Sequence, residues 1–243
     1  MVTEISASTK ALGFWSAVLA TVFSITYDIG QLAEWAGWMG SRGGAENAST
    51  PLGLVVLLTP SLFLGSAFLV LMICVHYLSS PDTKVWSHVA VAFATIYAAL
   101  ISMNYFVQLT WVAPRLAAGR TEGLEPFLFT PFDSFVYSVD LLGYSFMSVA
   151  AFFAAKVFTN TGLERLVRVS LTATAFVLPF IALQMYTHWL IWIAALWGVT
   201  FPAATWSLAI LFRRIAANSA SSSLAKCTQR VHSRRAPGWK VAG

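Results

Sequence analysis

Charged side chains are scarce in this sequence of 243 residues, in which Asp, Glu, Lys and Arg together make up only 10%. Hydrophobic residues make up 58%, which is more apolar surface than the single core of a soluble domain of this length can bury. The composition therefore excludes an ordinary soluble domain. It indicates a chain that lies in a membrane.

Cysteines and catalytic motifs are also scarce. Cys74 and Cys227 both fall on the reducing side of a membrane if the N-terminus is cytoplasmic, so no disulfide is expected. The sequence contains no HExxH, GxSxG, GxGxxG, P-loop or CxxC motif, and no lysine lies deep in an apolar run, which argues against a retinal Schiff base. These absences leave no catalytic signature, and no cofactor or metal is predicted.

Long apolar runs, in contrast, occur at six places. Each has about 20 residues or more, the helical length that crosses a hydrocarbon layer of about 30 Å. Continuous runs such as residues 54–58 lack the alternation of a membrane β-barrel. The sequence therefore predicts an all-α, polytopic membrane protein with a bundle of six transmembrane helices. The predicted helices, numbered 1 to 6, are residues 12–32, 54–78, 85–112, 134–158, 166–186 and 189–212.

The distribution of Lys and Arg predicts the orientation of these helices. With the N-terminus in the cytoplasm, twelve of the fifteen basic residues lie on the cytoplasmic side, and only Arg42, Arg115 and Arg120 lie outside. Both termini are therefore predicted to be cytoplasmic, and residues 1–11 precede an uncleaved first helix that also acts as the export signal. We expect a multi-pass protein of a cell membrane, the bacterial inner membrane in particular.

Two segments outside the predicted helices have a distinctive composition. The tail, residues 213–243, carries seven Lys or Arg and no acid, which predicts a disordered segment that contacts anionic lipid headgroups rather than nucleic acid. The segment EPFLFTPF, residues 125–132, is predicted to lie on the surface of the bilayer, with a lid over the helices as the alternative.

Polar side chains in the predicted helices gather near one level, about one to two turns from the outer ends. A carboxylate near the centre of a membrane helix costs roughly 2.5–3.5 kcal/mol, so it normally faces a partner, a cavity or water. The pattern predicts an outward-facing pocket between helices 1, 3, 4 and 5, with Asp28 and Asp140 as its acidic poles. The candidate ligand-binding residues are Asp28, Gln31, Asn104, Gln108, Asp140, Tyr144, Gln184 and His188.

Three functions fit this pattern. The first is binding or transport of a small polar or cationic ligand. The second is a membrane enzyme that acts on a lipid or quinone-like substrate, with Asp28, Asp140 and His188 as acid and base groups. The third is an accessory subunit whose polar side chains only hold helices together. His76 and His88 are interpreted as interfacial histidines rather than a metal or haem pair, and small residues four apart in helices 4 and 6 are compatible with a homo-oligomer.

Overall fold

The computed structural model of the protein describes residues 5–44 and 47–234, which contain helices and no strands. Six of the helical segments are long and apolar enough to cross a membrane, so the prediction of an all-helical chain with six spans is confirmed. This is the architecture of a multi-pass membrane protein. We call the segments spans 1 to 6: Ala7–Trp35, Pro51–Leu78, Pro81–Ala117, Phe135–Ala155, Gly162–Leu183 and His188–Ser219.

Three of the spans begin with a hydroxyl side chain that caps the helix. The side-chain oxygens of Ser6, Thr50 and Ser134 accept hydrogen bonds from backbone N–H groups three residues later. Each bond satisfies one of the N–H groups that the first helical turn leaves without a partner. Span 2 also has Pro51 at its first position, where the missing N–H is not needed. Local sequence therefore determines where these helices start.

The six spans form a closed ring. Each span packs against its neighbours in the sequence, and span 6 returns to pack against span 1. The ring has a loop end, with the connections 36–50 and 118–134, and a terminal end, where span 1 begins. Its centre holds three buried side chains that we call the aromatic core, Phe68, Tyr97 and Phe201. The ring centroid of Phe68 lies 5.8 Å from that of Tyr97 and 5.5 Å from that of Phe201.

Spans 3, 5 and 6 are interrupted near the loop end. Span 3 becomes a π-helix at Gln108–Val112. Span 5 consists of Gly162–Phe176 and Leu178–Leu183, because Pro179 has no N–H with which to continue the backbone ladder. Span 6 begins with short helical turns, and the long helix Trp197–Arg234 follows them. The regular α-helical backbone is therefore interrupted in three spans near one end of the bundle.

The connection 118–134 folds over the loop end, which corrects the prediction that residues 125–132 lie on the bilayer surface. Phe129 and Phe132 are buried, and the backbone N–H of Phe132 donates to the carbonyl of Gly44 at 3.0 Å. The side-chain amide of Gln108 donates to the carbonyl of Phe127. Phe129 and Phe132 fill the top of the ring because its interior offers them more apolar contact than the interface does, whereas Phe127 stays 40% exposed.

The helix that contains span 6 is described as far as Arg234, whereas the sequence predicts disorder for the tail from residue 213. The charge of the tail favours disorder, but its backbone favours a helix. No Pro or Gly occurs from residue 203 to residue 236, and Ala and Arg favour the helix. Residues 235–243 of the predicted tail lie outside the described residues.

Gly13 allows spans 1 and 6 to meet closely, which gives a test of the packing. An ideal Cβ at Gly13 would lie 2.5 Å from Cε1 of Phe212, a ring that is fully buried. We expect Gly13→Ala to lower the free energy of unfolding by about 1–3 kcal/mol, because an extra methyl group in a packed site forces the ring to move. Thermal unfolding in detergent measures the effect.

Gly65→Ala is the matched control for this substitution. An ideal Cβ at Gly65 would have its nearest contact at 3.5 Å, an ordinary van der Waals distance. This variant is expected to unfold at the same temperature as the wild type or a higher one, since alanine favours a helix by up to about 1 kcal/mol. Equal losses in both variants would contradict the close approach at Gly13.

Candidate functional site

A cavity of about 300 Å³ lies near the loop end of the ring. Its walls come from spans 1, 4, 5 and 6 and from the folded connection 118–134. The described lining includes two acidic side chains, Asp28 from span 1 and Asp140 from span 4. The described residues that line it include no Lys or Arg. The cavity therefore carries acidic groups without a basic partner.

Asp140 is held from behind by span 3. The carboxylate is only 3% exposed, and its Oδ1 accepts a hydrogen bond of 3.4 Å from the side-chain amide of Asn104. The same amide nitrogen donates to the carbonyl of Val136 at 3.3 Å, so Asn104 also ties span 3 to the first turn of span 4. This arrangement fixes the carboxylate at the cavity wall. The amide of Asn104 offers the carboxylate a dipole rather than a positive charge.

Asp28 lies against the backbone of span 6. An ideal Cβ at Gly198 would be 2.8 Å from Oδ1 of Asp28, so this position accommodates the carboxylate only because it has no side chain. Gly198 follows the broken start of span 6 directly. The close approach brings the acid of span 1 and the irregular backbone of span 6 to the same wall of the cavity.

Aromatic rings form much of the remaining wall. Trp197 lies edge-on to Tyr144, with ring centroids 5.1 Å apart, and edge-on to Tyr27 at 6.1 Å. Phe132 stacks on Tyr137 at 4.5 Å. The set, which we call the aromatic wall, is Tyr27, Trp35, Phe132, Tyr137, Tyr144 and Trp197. The faces of such rings carry partial negative charge and attract cations.

The floor of the cavity is closed by the aromatic core. Phe201 stacks on Trp197 with ring centroids 5.1 Å apart, and Tyr97 contacts Tyr144 at 5.7 Å. Both core side chains are fully buried or nearly so. The core therefore separates the cavity from the terminal end of the bundle.

Five of the eight candidate residues line this one cavity: Asp28, Gln31, Asp140, Tyr144 and Gln184. Gln184 also accepts a hydrogen bond of 2.9 Å from the hydroxyl of Tyr137, which joins the end of span 5 to span 4. The amide nitrogen of Gln31 is buried and has no hydrogen-bond partner among the described residues. The structure thus brings together the two acids and two of the four amides that the sequence singled out.

The other three candidates lie outside the cavity. Asn104 stands behind Asp140, and Gln108 holds the folded connection through Phe127. His188 is half-buried and stacks on Phe132, with ring centroids 6.1 Å apart. Their roles in the structure are therefore positional, and His188 contacts a residue of the wall rather than the carboxylates.

The sequence analysis placed the pocket between helices 1, 3, 4 and 5, and the structure corrects this to spans 1, 4, 5 and 6. Span 6 was overlooked because its cavity residues carry no charge or amide: they are Ile191, Ala194, Ala195, Trp197, Gly198 and Val199. Tyr27 and Tyr137 were detectable in principle, since each lies within three residues of a cavity acid in the sequence. No sequence signal places Phe132 at the cavity, because its position depends on the fold of the connection.

Glu34 is a third buried acid that the sequence analysis missed. It is 1% exposed, and its carboxylate lies near the hydroxyl of Ser49, although neither oxygen makes a well-formed hydrogen bond within the described residues. An ideal Cβ at Gly53 would be 2.7 Å from its Oε1, so the carboxylate lies at the start of span 2. The partial positive charge of that helix N-terminus offsets part of its charge. Glu34 does not line the cavity.

His76 and His88 meet at the terminal end of the bundle. Their ring centroids are 4.1 Å apart, and Nδ1 of His76 lies 2.8 Å from the hydroxyl of Ser87. Within residues 5–44 and 47–234 no group of three or more His, Cys, Asp or Glu side chains is arranged to hold a metal ion. The histidine rings form a contact between spans 2 and 3.

Comparisons with protein-family models, with curated proteins and with solved structures find no match to this chain. Functional inference therefore rests on the geometry of the cavity.

Proposed function

We propose that this chain is an integral membrane protein that binds a small organic cation in the cavity between spans 1, 4, 5 and 6 and transports it. The observation that carries this proposal is the pairing of two carboxylates, Asp28 and Asp140, with the aromatic wall, in a cavity whose described lining has no basic residue. Each part of that arrangement favours positive charge.

Electrostatics supports a cation rather than an anion or a neutral ligand. A carboxylate in a low-dielectric region costs several kcal/mol unless an opposite charge or strong hydrogen bonds compensate it. The hydrogen bonds that Asp140 accepts come from neutral side chains, the amide of Asn104 at 3.4 Å and the hydroxyl of Tyr105. A cation in the cavity would stabilise Asp140 and Asp28 together, and each ring of the aromatic wall whose face it meets would add about 0.5–2 kcal/mol.

The size of the cavity supports a small ligand. Its volume of about 300 Å³ is at the lower end of the range of about 300–1,000 Å³ that is typical of ligand pockets. Aromatic rings hold alkylated ammonium groups well, because such groups lose little hydration when they bind. We therefore infer an ammonium compound of a few carbon atoms as the ligand class.

Transport, rather than permanent occupancy, is supported by the broken spans. Irregular backbone is tolerated at membrane depth only where it is buried in protein or lines a cavity, and Ala194, Ala195 and Gly198 at the break in span 6 line this one. Interrupted helices at a central site are typical of secondary transporters. The aromatic core would serve as the closed gate beneath the ligand.

The orientation of the bundle is part of the proposal. The excess of Lys and Arg on the side of the termini, twelve of fifteen residues, favours a cytoplasmic terminal end. The cavity near the loop end would then open outward, in a cell membrane such as the bacterial inner membrane. Labelling of a single cysteine at position 42 by an impermeant thiol reagent in intact cells, in a variant without Cys74 and Cys227, tests this orientation.

Ligand-dependent stabilisation tests the proposed binding. Tetramethylammonium chloride should raise the melting temperature of the purified protein in a saturable way, since a ligand at 100 times its Kd stabilises the folded state by about 2.7 kcal/mol. Sodium chloride at equal ionic strength and sodium acetate are the controls. No shift with tetramethylammonium, or an equal shift with the controls, would contradict cation binding.

The other two functions are distinguished in the same preparation. An enzyme acting on a lipid or quinone-like substrate would use Asp28 and Asp140 as its acid and base groups without His188, which stacks on Phe132, and it predicts turnover in detergent that is lost in Asp140→Asn. An accessory subunit predicts neither ligand stabilisation nor flux. Uptake of labelled tetramethylammonium into proteoliposomes, lost in Asp140→Asn, separates transport from simple binding.

A further inference from the structure

A second cleft lies at the terminal end of the bundle, between the start of span 1 and the long helix Trp197–Arg234. Its volume is about 700 Å³. The described residues that line it include two basic side chains, Lys10 and Arg213, and no acid. The rest of its lining is apolar or carries hydroxyl groups, so the cleft is a positively charged recess.

Lys10 is the residue that points to a ligand. Its side chain is only 7% exposed, and its ammonium group donates to the hydroxyl of Ser219 at 2.7 Å. A hydroxyl satisfies one of three N–H donors but brings no negative charge. Because a buried ammonium group requires a counter-charge, an anion is expected in the cleft.

Other groups at the same place also attract an anion. Arg213 lines the cleft from the opposite helix and is exposed. The cleft also contains the first residues of span 1, a helix of 29 residues capped by Ser6, whose N-terminus carries partial positive charge. Cations from two helices and a helix N-terminus therefore converge on one recess.

The apolar part of the lining indicates which anion fits. Phe14 and Trp15 line the cleft beside Lys10, with their rings edge to face at 5.2 Å, and Trp15 is 60% exposed on the outside of the bundle. A free inorganic anion would use only the cationic part of the recess. A phospholipid would use both parts, with its phosphate at Lys10 and its acyl chains along Trp15.

We propose that this cleft is a binding site for the headgroup of an anionic phospholipid of the phosphatidylglycerol class, with Lys10 and Arg213 on the phosphate. Lys10 lies in the first turn of span 1, the level at which lipid phosphates border the hydrocarbon layer. The site is distinct from the cation cavity, which the aromatic core separates from this end. It does not depend on the proposed transport.

Lipid binding to the purified full-length protein, followed by native mass spectrometry, tests the site. One phosphatidylglycerol should bind at least about tenfold more tightly than phosphatidylcholine, since charge-assisted contacts to the phosphate are strong and the choline group would face two cations. Lys10→Met should reduce phosphatidylglycerol binding to the level of phosphatidylcholine. Lys10→Arg, which keeps the charge, should retain it.

Lys156→Met is the matched control. Lys156 ends span 4 at the same end of the bundle, is exposed, and has its ammonium group over the ring of Phe152. This variant should bind phosphatidylglycerol as the wild type does.

Glu4 is the one acid that precedes Lys10 in the sequence. Glu4→Gln should leave phosphatidylglycerol binding intact, and this result would exclude Glu4 as the counter-charge of Lys10. Equal melting temperatures in phosphatidylcholine show that the variants are folded.

Three results would overturn the proposal. The first is that Lys10→Met retains phosphatidylglycerol at wild-type affinity. The second is that Lys156→Met loses as much binding as Lys10→Met, which indicates a diffuse surface charge. The third is that millimolar inorganic phosphate displaces the lipid completely, which indicates a site for free anions.

Discussion

Asn in place of Asp140 is expected to weaken tetramethylammonium binding by about 100-fold, because removing one partner of a buried charge pair costs about 2–5 kcal/mol. Asp140 is 3% exposed and lies in a cavity whose described lining has no basic group, so bulk water screens its interaction with a bound cation weakly. Isothermal titration calorimetry of the protein in lipid nanodiscs measures the change. Uptake into proteoliposomes should be lost in parallel.

The stability of the same variant separates a ligand-binding role from a structural one. Without ligand, Asp140→Asn should be as stable as the wild type or more stable, because the new amide oxygen can still accept from Asn104 and no charge is buried. Asp133→Asn, an exposed acid seven positions earlier, should change neither property. If Asp140→Asn binds tetramethylammonium normally, or unfolds far more easily without ligand, the acid only holds helices together.

Ala in place of Gly198 is expected to weaken cation binding about tenfold. The added Cβ would lie 2.8 Å from Oδ1 of Asp28. Because a methyl carbon and a carboxylate oxygen that are not bonded do not approach so closely, the carboxylate must move or the cavity must narrow. An inserted methyl group in a packed site typically costs about 1–3 kcal/mol, and about 1.4 kcal/mol corresponds to a tenfold change in affinity. Calorimetry as for Asp140→Asn measures it.

A double-mutant cycle assigns this effect to Asp28. If Gly198→Ala acts by displacing the carboxylate, it should have little further effect in a protein that already carries Asp28→Ala, because residues in contact give non-additive changes. Gly65→Ala, another glycine in a helix of the ring, should leave binding unchanged. Additive losses in the double variant would mean that Gly198 acts on the cavity without Asp28.

The helices of this protein were predictable from sequence because the membrane imposes a simple rule. Each crossing requires about 20 apolar residues, and all six spans of the structure meet that requirement. Helix ends were less predictable, since they depend on capping. Ser6 extends span 1 five residues before the predicted start at residue 12, and span 3 continues through Pro114 to Ala117.

The acids of the cavity were also predictable, for a physical reason. A carboxylate in an apolar run is costly in lipid, so Asp28 and Asp140 attract attention in the sequence, and both line the cavity. The buried amides were selected by the same argument, but only Gln31 and Gln184 line the cavity. Asn104 and Gln108 are buried for internal hydrogen bonds rather than for the cavity.

Apart from Tyr144, the aromatic wall was not predicted, because an aromatic residue in a membrane helix has no cost to reveal it. Trp197 and Tyr27 are ordinary in apolar runs, and only the packing of span 6 against span 1 brings them together. Phe132 reaches the cavity through a connection that folds over the bundle. The cation specificity proposed above therefore depends on tertiary structure.

A crystal structure with tetramethylarsonium tests the central claim most directly, because the arsenic atom scatters anomalously and the ion has the charge and shape of tetramethylammonium. The account predicts one anomalous peak in the cavity, beside Asp140 and within about 6 Å of the ring centroid of Trp197, the usual cation–π range. A folded protein with no peak in this cavity at saturating ligand, or with its peak elsewhere, would contradict it.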